Sequence, residues 1–431
     1  MRRGSACVVV DVEWDAGAAP PEGTWHPGPL PVPLPNGTEA AAEQRLSYFE
    51  ARVGRSLFGE PGRPGRWWCR PGQDAGDGAA ADGAELLRAP ASAGLDGHGL
   101  VIVHVSLPDA DPHGALTALA RDPGRWAPLL PPGLRVRPGT RRAWTLCHLT
   151  GTTGTWPALP GLSATGWETR DQWLWRLASA TPPRDFPPDP EDRTLFAGRV
   201  RFSADWQALV LRDGAAFLGT SPDPGGTDTF HATAEALVHS LYLDVFLLGR
   251  FQDAAVRTLA EDLTHRRAGS ATDLRRLEGR LIALRAALWS THLTRHGKAD
   301  ELLGRHQEQH RVPALLAALG EGLTEAARYV EAGQSRRVSL SLGLLSAVGL
   351  PFGLVFAAGA LWDDAGAASV LVCTLVSLLV TVLMFALLPP LRALFTRPSR
   401  ALAPGPSRRP FTRRSGPLSA RTPRAPRTGG S

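Results

Sequence analysis

Two long apolar runs, separated by two acidic residues, constrain the fold of this chain more than any other feature. Residues 338–362 and 365–391 contain no charged side chain, and only Asp363 and Asp364 lie between them. A helix rises ~1.5 Å per residue, so each run exceeds the ~30 Å hydrocarbon core of a bilayer. The linker is too short for a folded domain, so we predict an antiparallel transmembrane hairpin. A buried helix pair in a soluble core is the alternative, but such cores rarely supply two adjacent uncharged runs.

Charged residues beside the two runs predict their orientation. Arg336 and Arg337 precede the first run, and Arg392 and Arg397 follow the second. Because basic flanks stay in the cytoplasm, we predict a multi-pass protein of the plasma (inner) membrane with cytoplasmic N- and C-termini. A signal peptide is disfavoured, because acids interrupt the apolar residues 6–14.

Positive charge is concentrated at the C-terminus. The whole chain carries +6, but residues 392–431 hold ten Arg and no acid, so residues 1–391 sum to −4. A mildly acidic body gives no support to nucleic-acid binding, and we expect no nucleic-acid partner. The tail has no apolar periodicity, which predicts disorder. Its arginines either bind anionic headgroups or only extend the flank of the second run.

The cysteines and the catalytic motifs exclude several classes of protein. Cysteines occur at positions 7, 69, 147 and 373, without CxxC spacing. This pattern is typical of a reducing compartment and argues against a disulfide scaffold or a zinc ribbon. The sequence has no GxSxG, HExxH or P-loop signature, so we do not predict an enzyme.

Residues 1–222 predict a cytoplasmic mixed α/β domain with Pro/Gly-rich loops. Strands are predicted at residues 6–14, 99–107, 142–149, 195–202, 206–211 and 215–219. Helical patterns occur near residues 38–57 and at 167–178. Residues 59–98 are rich in Gly, Pro, Ala and Asp, which predicts a loop or a poorly ordered insertion.

Residues 229–337 have a helical apolar period. Heptad spacing relates Leu274, Leu277, Leu281, Leu284 and Leu288, and then Val312, Leu316, Leu319, Leu323, Ala326 and Val330. Such heptads predict a helical, coiled-coil stalk. The stalk is either an antiparallel pair within the chain or a helix that continues into the first apolar run and packs against copies of itself. Only Gly333 weakens a helix between the second heptad and residue 338, which favours the continuous helix.

The order of these elements resembles the CorA-type magnesium and divalent cation transporter family. An α/β domain, long helices, a first span, a short outside linker, a second span and a basic end follow that order over residues 195–392. Residues 350–354, which contain Pro351, and then Gly359 are similar to the family's Pro-containing first span. The resemblance implies an α+β cytoplasmic domain, a long helical stalk and a two-helix transmembrane hairpin. It also implies a homo-oligomer, a pentamer, whose first spans line a cation pore; Pro351 would kink that helix.

The predicted pore mouth departs from the family. Its Gly-Met-Asn signature is replaced by Gly359, Ala360 and Leu361. The family's Asn carboxamide helps to hold a hydrated cation, whereas Leu361 offers no side-chain oxygen. In an oligomer Asp363 and Asp364 would form an acidic ring that enriches cations, or they only keep the linker outside the bilayer.

Two HxxxH pairs form a second candidate site. His292 with His296 and His306 with His310 are each spaced i, i+4, which places both imidazoles on one helical face. Two such faces would complete a tetrahedral divalent-metal site. The alternative is a solvated stalk surface. The predicted cofactor is therefore either none or a divalent cation, Mg²⁺ or Zn²⁺.

Two functions remain open from the sequence. One is an oligomeric divalent cation channel or transporter in the lipid bilayer with an altered selectivity mouth. The other is a membrane-anchored sensor, effector or scaffold that has lost ion conduction and has a cytoplasmic protein partner. Either function uses four segments: residues 1–222, the stalk 229–337, the hairpin 338–391 and the tail 392–431.

Overall fold

A computed structural model describes most of the chain before residue 362 and little after it. The described residues are 2–15, 20–33, 39–40, 45, 47–59, 66–73, 81–90, 94–151, 153, 155–223, 228–266, 271–289, 293–294, 297–361, 371–372, 374–376 and 378–379. The chain divides into two compact units, Met1–Val330 and Glu331–Ser431.

The first unit contains a large, mostly antiparallel sheet. Its strands are β1 (Arg2–Trp14), β2 (His26–Pro27), β5 (Trp67–Gln73), β6 (Ala81–Arg88), β7 (His98–Leu107), β8 (Leu134–Val136), β9 (Trp144–Gly151), β10 (Arg199–Arg201), β11 (Trp206–Val210) and β12 (Gly214–Pro222). The strand order is β10-β11-β12-β9-β1-β7-β6-β5-β2, and β8 also pairs with β1. Only the β9–β12 pair is parallel among the described strands. Two short strands, β3 (Val32–Pro33) and β4 (Glu39–Ala40), form a separate pair.

Strand β1 lies in the middle of this sheet. It pairs with β7 on one side and with β9 and β8 on the other. Alternate β1 side chains are buried in two different clusters: Cys7 and Val9 in one, Val8 and Val10 in the other. Burial on both faces explains why this strand is a nearly continuous β-branched run rather than an alternating one.

Helices cover both faces of the sheet. They are α1 (Ala51–Phe58), α2 (Pro112–Arg121), α3 (Thr169–Ser179), α4 (Thr229–Leu237), α5 (Leu243–Arg266), α6 (Ala271–Leu288), α7 (Gly297–Gln309) and α8 (Val312–Leu361). A π-helical turn, Val238–Tyr242, joins α4 to α5. Apolar residues of α2 and α3 pack in the Val8 cluster, and those of α1 and of α4 to α8 pack in the Cys7 cluster. The unit is therefore a sheet between two helical layers.

The heptad positions are core positions, as predicted. Leu274, Leu277 and Leu284 of α6 are each less than 5% exposed, and Leu319 and Leu323 of α8 are at most 5% exposed. All of them belong to the same apolar cluster, so the two helices bury their heptad faces within the first unit. Helix α8 then continues as one helix to Leu361. The predicted continuity through Gly333 into the first apolar run is confirmed. The heptad residues, however, are buried within this chain, whereas the prediction of a continuous helix had them pack against copies of the chain.

The structure confirms a mixed α/β fold with a large sheet and helices. Of the predicted strand 195–202, only Arg199–Arg201 is a strand, and Arg193–Phe196 forms a 3-10 helix. A larger correction concerns the preceding part of the chain. Residues 59–98, predicted as loop, contain β5 and β6. Trp67 and Leu87 pair across these two strands and are buried. Gly and Pro lower local strand propensity, but pairing with β7 and burial of the two Trp residues at 67 and 68 outweigh that preference.

One helical run among the described residues is long and apolar enough to cross a membrane. It spans Thr229–Thr264, and 78% of its most apolar window is buried inside the protein. Such burial is typical of a core helix, so this run is weak support for a membrane location. The first predicted span coincides with the second half of α8, except that Trp362 lies outside the described residues. Of the second, only helical positions at 371–372, 374–376 and 378–379 are described.

Candidate metal centre

A cysteine and two histidines meet between the sheet and the helix layer. Cys7 of β1 lies directly opposite His104 of β7 in the antiparallel register. Because directly opposed residues point to the same face of a sheet, both side chains project towards the α4–α5 side. His239 approaches them from the π-helical turn. The three residues are at most 8% exposed.

The π-helical turn belongs to this site. Val238, Leu241 and Tyr242 of the turn are buried in the apolar core, which fixes the turn against the sheet. A π-turn holds an extra residue within a helix, and such turns occur frequently at functional sites. Here the turn carries the imidazole that contacts β1.

Three potential ligand atoms form a compact triangle. Cys7 Sγ lies 3.5 Å from His104 Nδ1 and 3.2 Å from His239 Nδ1. The two Nδ1 atoms are 3.1 Å apart. The cluster is the one group of three or more His, Cys, Asp or Glu residues in the described part of the chain whose ligand atoms lie this close together.

The outer nitrogen of each imidazole has its own partner. His104 Nε2 lies 2.9 Å from Glu85 Oε1, and Trp67 Nε1 donates to the other carboxylate oxygen at 2.6 Å. His239 Nε2 lies 2.8 Å from Ser5 Oγ. A protonated Nε2 on each ring would satisfy both contacts and would leave each Nδ1 lone pair directed at the sulfur and at the other ring.

Arg45 and two carboxylates, Glu85 and Asp244, lie beside the cluster on the side of His104. Arg45 donates Nε to Asp244 Oδ2 at 2.9 Å and pairs through NH2 with the second oxygen of Asp244. Its NH1 also lies 3.6 Å from Glu85 Oε1. Arg45, Glu85 and Asp244 are fully buried, so these charges are removed from water. Unpaired, each would carry a large desolvation cost.

The electrostatics of the cluster favour a thiolate. Burial raises the pKa of the Cys7 thiol, but His104 and His239 outweigh burial and lower it to about 6. Burial opposes charge on His104, yet Cys7 and Glu85 outweigh it and raise the His104 pKa to about 10. Cys147, which is buried in strand β9 and belongs to the Val8 cluster, has its thiol pKa raised by burial.

This arrangement has two chemical capacities. A thiolate beside an imidazole held by a carboxylate has the order of groups found in nucleophilic cysteine sites. However, Cys7 is 0% exposed and lies within the central strand, so no substrate atom reaches its sulfur in this structure. The second capacity needs no substrate access, because one thiolate and two imidazoles are ligands suited to Zn²⁺.

The predicted HxxxH residues lie partly outside the described residues. His292 and His296 are not among the described positions, so the predicted four-histidine site stays a prediction. His306 and His310 are buried, with ring centroids 4.4 Å apart. His306 packs against Trp144 and Phe246, and neither of its ring nitrogens has a hydrogen-bond partner among the described residues. Burial and then His310 hold the pKa of His306 well below its ordinary value, so this ring is neutral.

The predicted pore-mouth residues fall at the end of the described helix. Gly359, Ala360 and Leu361 are the last residues of α8, and the helix continues through Pro351. Asp363 and Asp364 lie outside the described residues, so the acidic ring stays a prediction.

Sequence reasoning missed the Cys7–His104–His239 cluster. His104 and His239 are 97 and 232 positions away from Cys7, and the three residues lie in segments that we predicted as two strands and a helical stalk. A signal was present, because Cys7 and His104 each lie next to a run of β-branched apolar residues. Only the register of β1 against β7 places the two opposite each other.

Comparison with known proteins does not assign this chain to a family. No protein-family model matches the sequence, and no curated protein or solved structure is similar enough to be identified as a relative.

Proposed function

We propose that this chain is an integral membrane protein of CorA-like arrangement that works as an oligomeric divalent cation channel or transporter. In this proposal residues 338–362 and 365–391 form the transmembrane hairpin, and both termini are cytoplasmic. The first spans of a homo-oligomer, a pentamer by the resemblance, line the pore.

The observation that carries the proposal is the continuity of α8. This 50-residue helix contains the buried heptad residues Leu316, Leu319 and Leu323 near its start and the uncharged residues from Val338 onwards in its second half. A helix of this length is ~75 Å long, more than twice the ~30 Å hydrocarbon core. One continuous helix can therefore contribute both to the packed core and to a membrane span.

Exposure of apolar side chains gives further support. Val338 is 58% and Leu342 61% exposed, and Leu371, Leu375 and Leu379 of the second run are also more than half exposed. Exposing one such side chain to water costs ~1.5–3 kcal/mol relative to burying it. Lipid removes that cost, whereas a soluble domain would leave an apolar surface of the kind that marks interaction sites.

Ion flux into proteoliposomes tests conduction. We expect purified protein to move at least one of Mg²⁺, Zn²⁺ or Co²⁺ down its gradient, and we expect Leu361→Asn to change the selectivity between them. The carboxamide would supply a polar oxygen at the mouth, where the family's Asn helps to hold a hydrated cation. Leu361→Met is the control, because it also changes the side chain but keeps it apolar and adds no amide oxygen. Absence of flux for these ions and for Na⁺, from an intact oligomer, would refute conduction.

A second candidate is a membrane-anchored sensor or effector without conduction. Leu361 favours it, because this residue has no side-chain oxygen where the resembled family has an amide. This candidate predicts that affinity purification from native membranes recovers a cytoplasmic protein partner. Recovery of the chain alone would count against it.

A further inference from the structure

We propose that Cys7, His104 and His239 bind a Zn²⁺ ion through Cys7 Sγ and the two Nδ1 atoms. The site would pin the α4–α5 helical layer to the centre of the sheet. It is independent of the HxxxH pairs and of any ion that passes through the membrane, so it stands whether or not the chain conducts.

The size of the ligand triangle agrees with tetrahedral zinc. Zn–S bonds of ~2.3 Å and Zn–N bonds of ~2.0–2.1 Å give tetrahedral edges of ~3.6 Å between S and N and ~3.3 Å between the two N atoms. The observed edges are 3.5, 3.2 and 3.1 Å. A planar three-coordinate ion needs edges of ~3.5–3.8 Å with the same bond lengths. The observed edges are closer to the tetrahedral values than to the planar ones, so a metal ion held by these three atoms would keep a fourth ligand position.

The contacts around the triangle are those that orient metal-binding histidines. A ligating imidazole commonly donates its other N–H to a carboxylate or another oxygen. Glu85 Oε1 is the oxygen beside His104 Nε2, and Ser5 Oγ is the oxygen beside His239 Nε2. When Nε2 is the donor in both contacts, each Nδ1 that has lost its proton is free to bind the ion.

The charge of the surrounding buried residues is compatible with a bound cation. Two buried carboxylates, Glu85 and Asp244, face the single guanidinium of Arg45. This leaves one negative charge that either a protonated His104, 2.9 Å from Glu85, or a bound metal ion balances. A Zn²⁺ ion bound to one thiolate carries a net charge of +1, which balances the shell, and buried charges persist when they are balanced in this way.

Metal content and ligand identity test the proposal on the full-length protein purified in detergent without a histidine tag. We expect one zinc ion per chain by elemental analysis, and zinc-edge X-ray absorption of the wild-type protein should show one sulfur and two imidazole ligands. This measurement needs no variant. A protein without bound zinc after supply of Zn²⁺, or a zinc shell without sulfur, would overturn the proposal.

Variants separate this site from other zinc-binding residues. Cys7→Ser should lose the zinc, and after exchange for Co²⁺ it should lack the thiolate-to-cobalt absorption of the wild type. Cys147→Ser is the matched control, since Cys147 is equally buried but belongs to the other apolar cluster, and it should keep both. Glu85→Gln should weaken zinc binding by ~10–100-fold while one ion still binds at saturation. Zinc that persists in Cys7→Ser and disappears in His292→Ala would assign the metal to the stalk and refute the proposal.

Discussion

Removal of the Arg45 guanidinium provides the sharpest test of the buried charge shell. Arg45 is fully buried and forms a two-point ion pair with Asp244, with Glu85 close by. In Arg45→Met, Asp244 would lose its counter-ion while remaining out of water, and Glu85 would keep only its contacts with His104 and Trp67. Breaking a buried pair by removing one partner costs ~3–5 kcal/mol, a large part of the ~5–15 kcal/mol that stabilises a typical domain.

The pH dependence of this variant gives a second, independent signature. Burial already raises the pKa of Asp244 to about 6, above its unfolded value of 3.8, although Arg45 opposes that shift. Without Arg45 the pKa rises further, so the folded variant binds a proton that the unfolded chain releases. The free energy of unfolding of the variant should therefore increase as pH falls from 8 towards 5, and its deficit relative to wild type should shrink.

Urea unfolding in mild detergent, followed by tryptophan fluorescence, measures both effects. Trp67 reports on the site directly, because the Arg45 guanidinium lies 5.2 Å from its ring centroid. Arg135→Met is the matched control: its ion pair with Glu13 is solvent-exposed, and such pairs contribute only ~0–1 kcal/mol. Equal destabilisation by the two substitutions, or a deficit of Arg45→Met that grows at acid pH, would refute the reasoning.

Two further predictions concern helix α5 and strand β1. A Cβ at Gly249 would lie 2.4 Å from His306 Cδ2, and the ring cannot retreat from its aromatic neighbours, so Gly249→Ala should destabilise by ~1–3 kcal/mol in the same assay. The control Gly279→Ala, which meets nothing within 4 Å in α6, should instead stabilise by up to ~1 kcal/mol; equal effects would contradict this. Burial opposes ionisation of Asp11, but Arg250 at 2.5 Å outweighs it and lowers the Asp11 pKa from 3.8 to about 2. Roughly 2 kcal/mol of stability should therefore be present above pH 4 and disappear as pH falls from 4 to 2, and Asp11→Asn should abolish that loss; an unchanged acid profile in the variant would contradict the assignment.

The elements that have a regular apolar pattern were predictable from the sequence. The heptad leucines of α6 and α8 are core residues, because a sustained apolar period allows only one buried face. Strand β1 was also predictable, since a run of β-branched residues strongly favours a strand.

The features that depend on distant contacts were not predictable. Strands β5 and β6 form in a Gly- and Pro-rich region because β7 supplies a pairing partner and the core accepts Trp67. Likewise, Cys7, His104 and His239 become a cluster only through the register of β1 and the π-turn before α5. No local pattern encodes such a register.

Topology mapping is the most direct test of the claim that residues 338–391 form a membrane hairpin. An epitope inserted between Asp363 and Asp364 should be accessible to antibody on intact cells, while an epitope placed after Ser431 should become accessible only after the membrane is opened. Membrane pellets washed with carbonate should retain the protein. A C-terminal epitope exposed on intact cells, or a protein that remains soluble without detergent, would contradict the account.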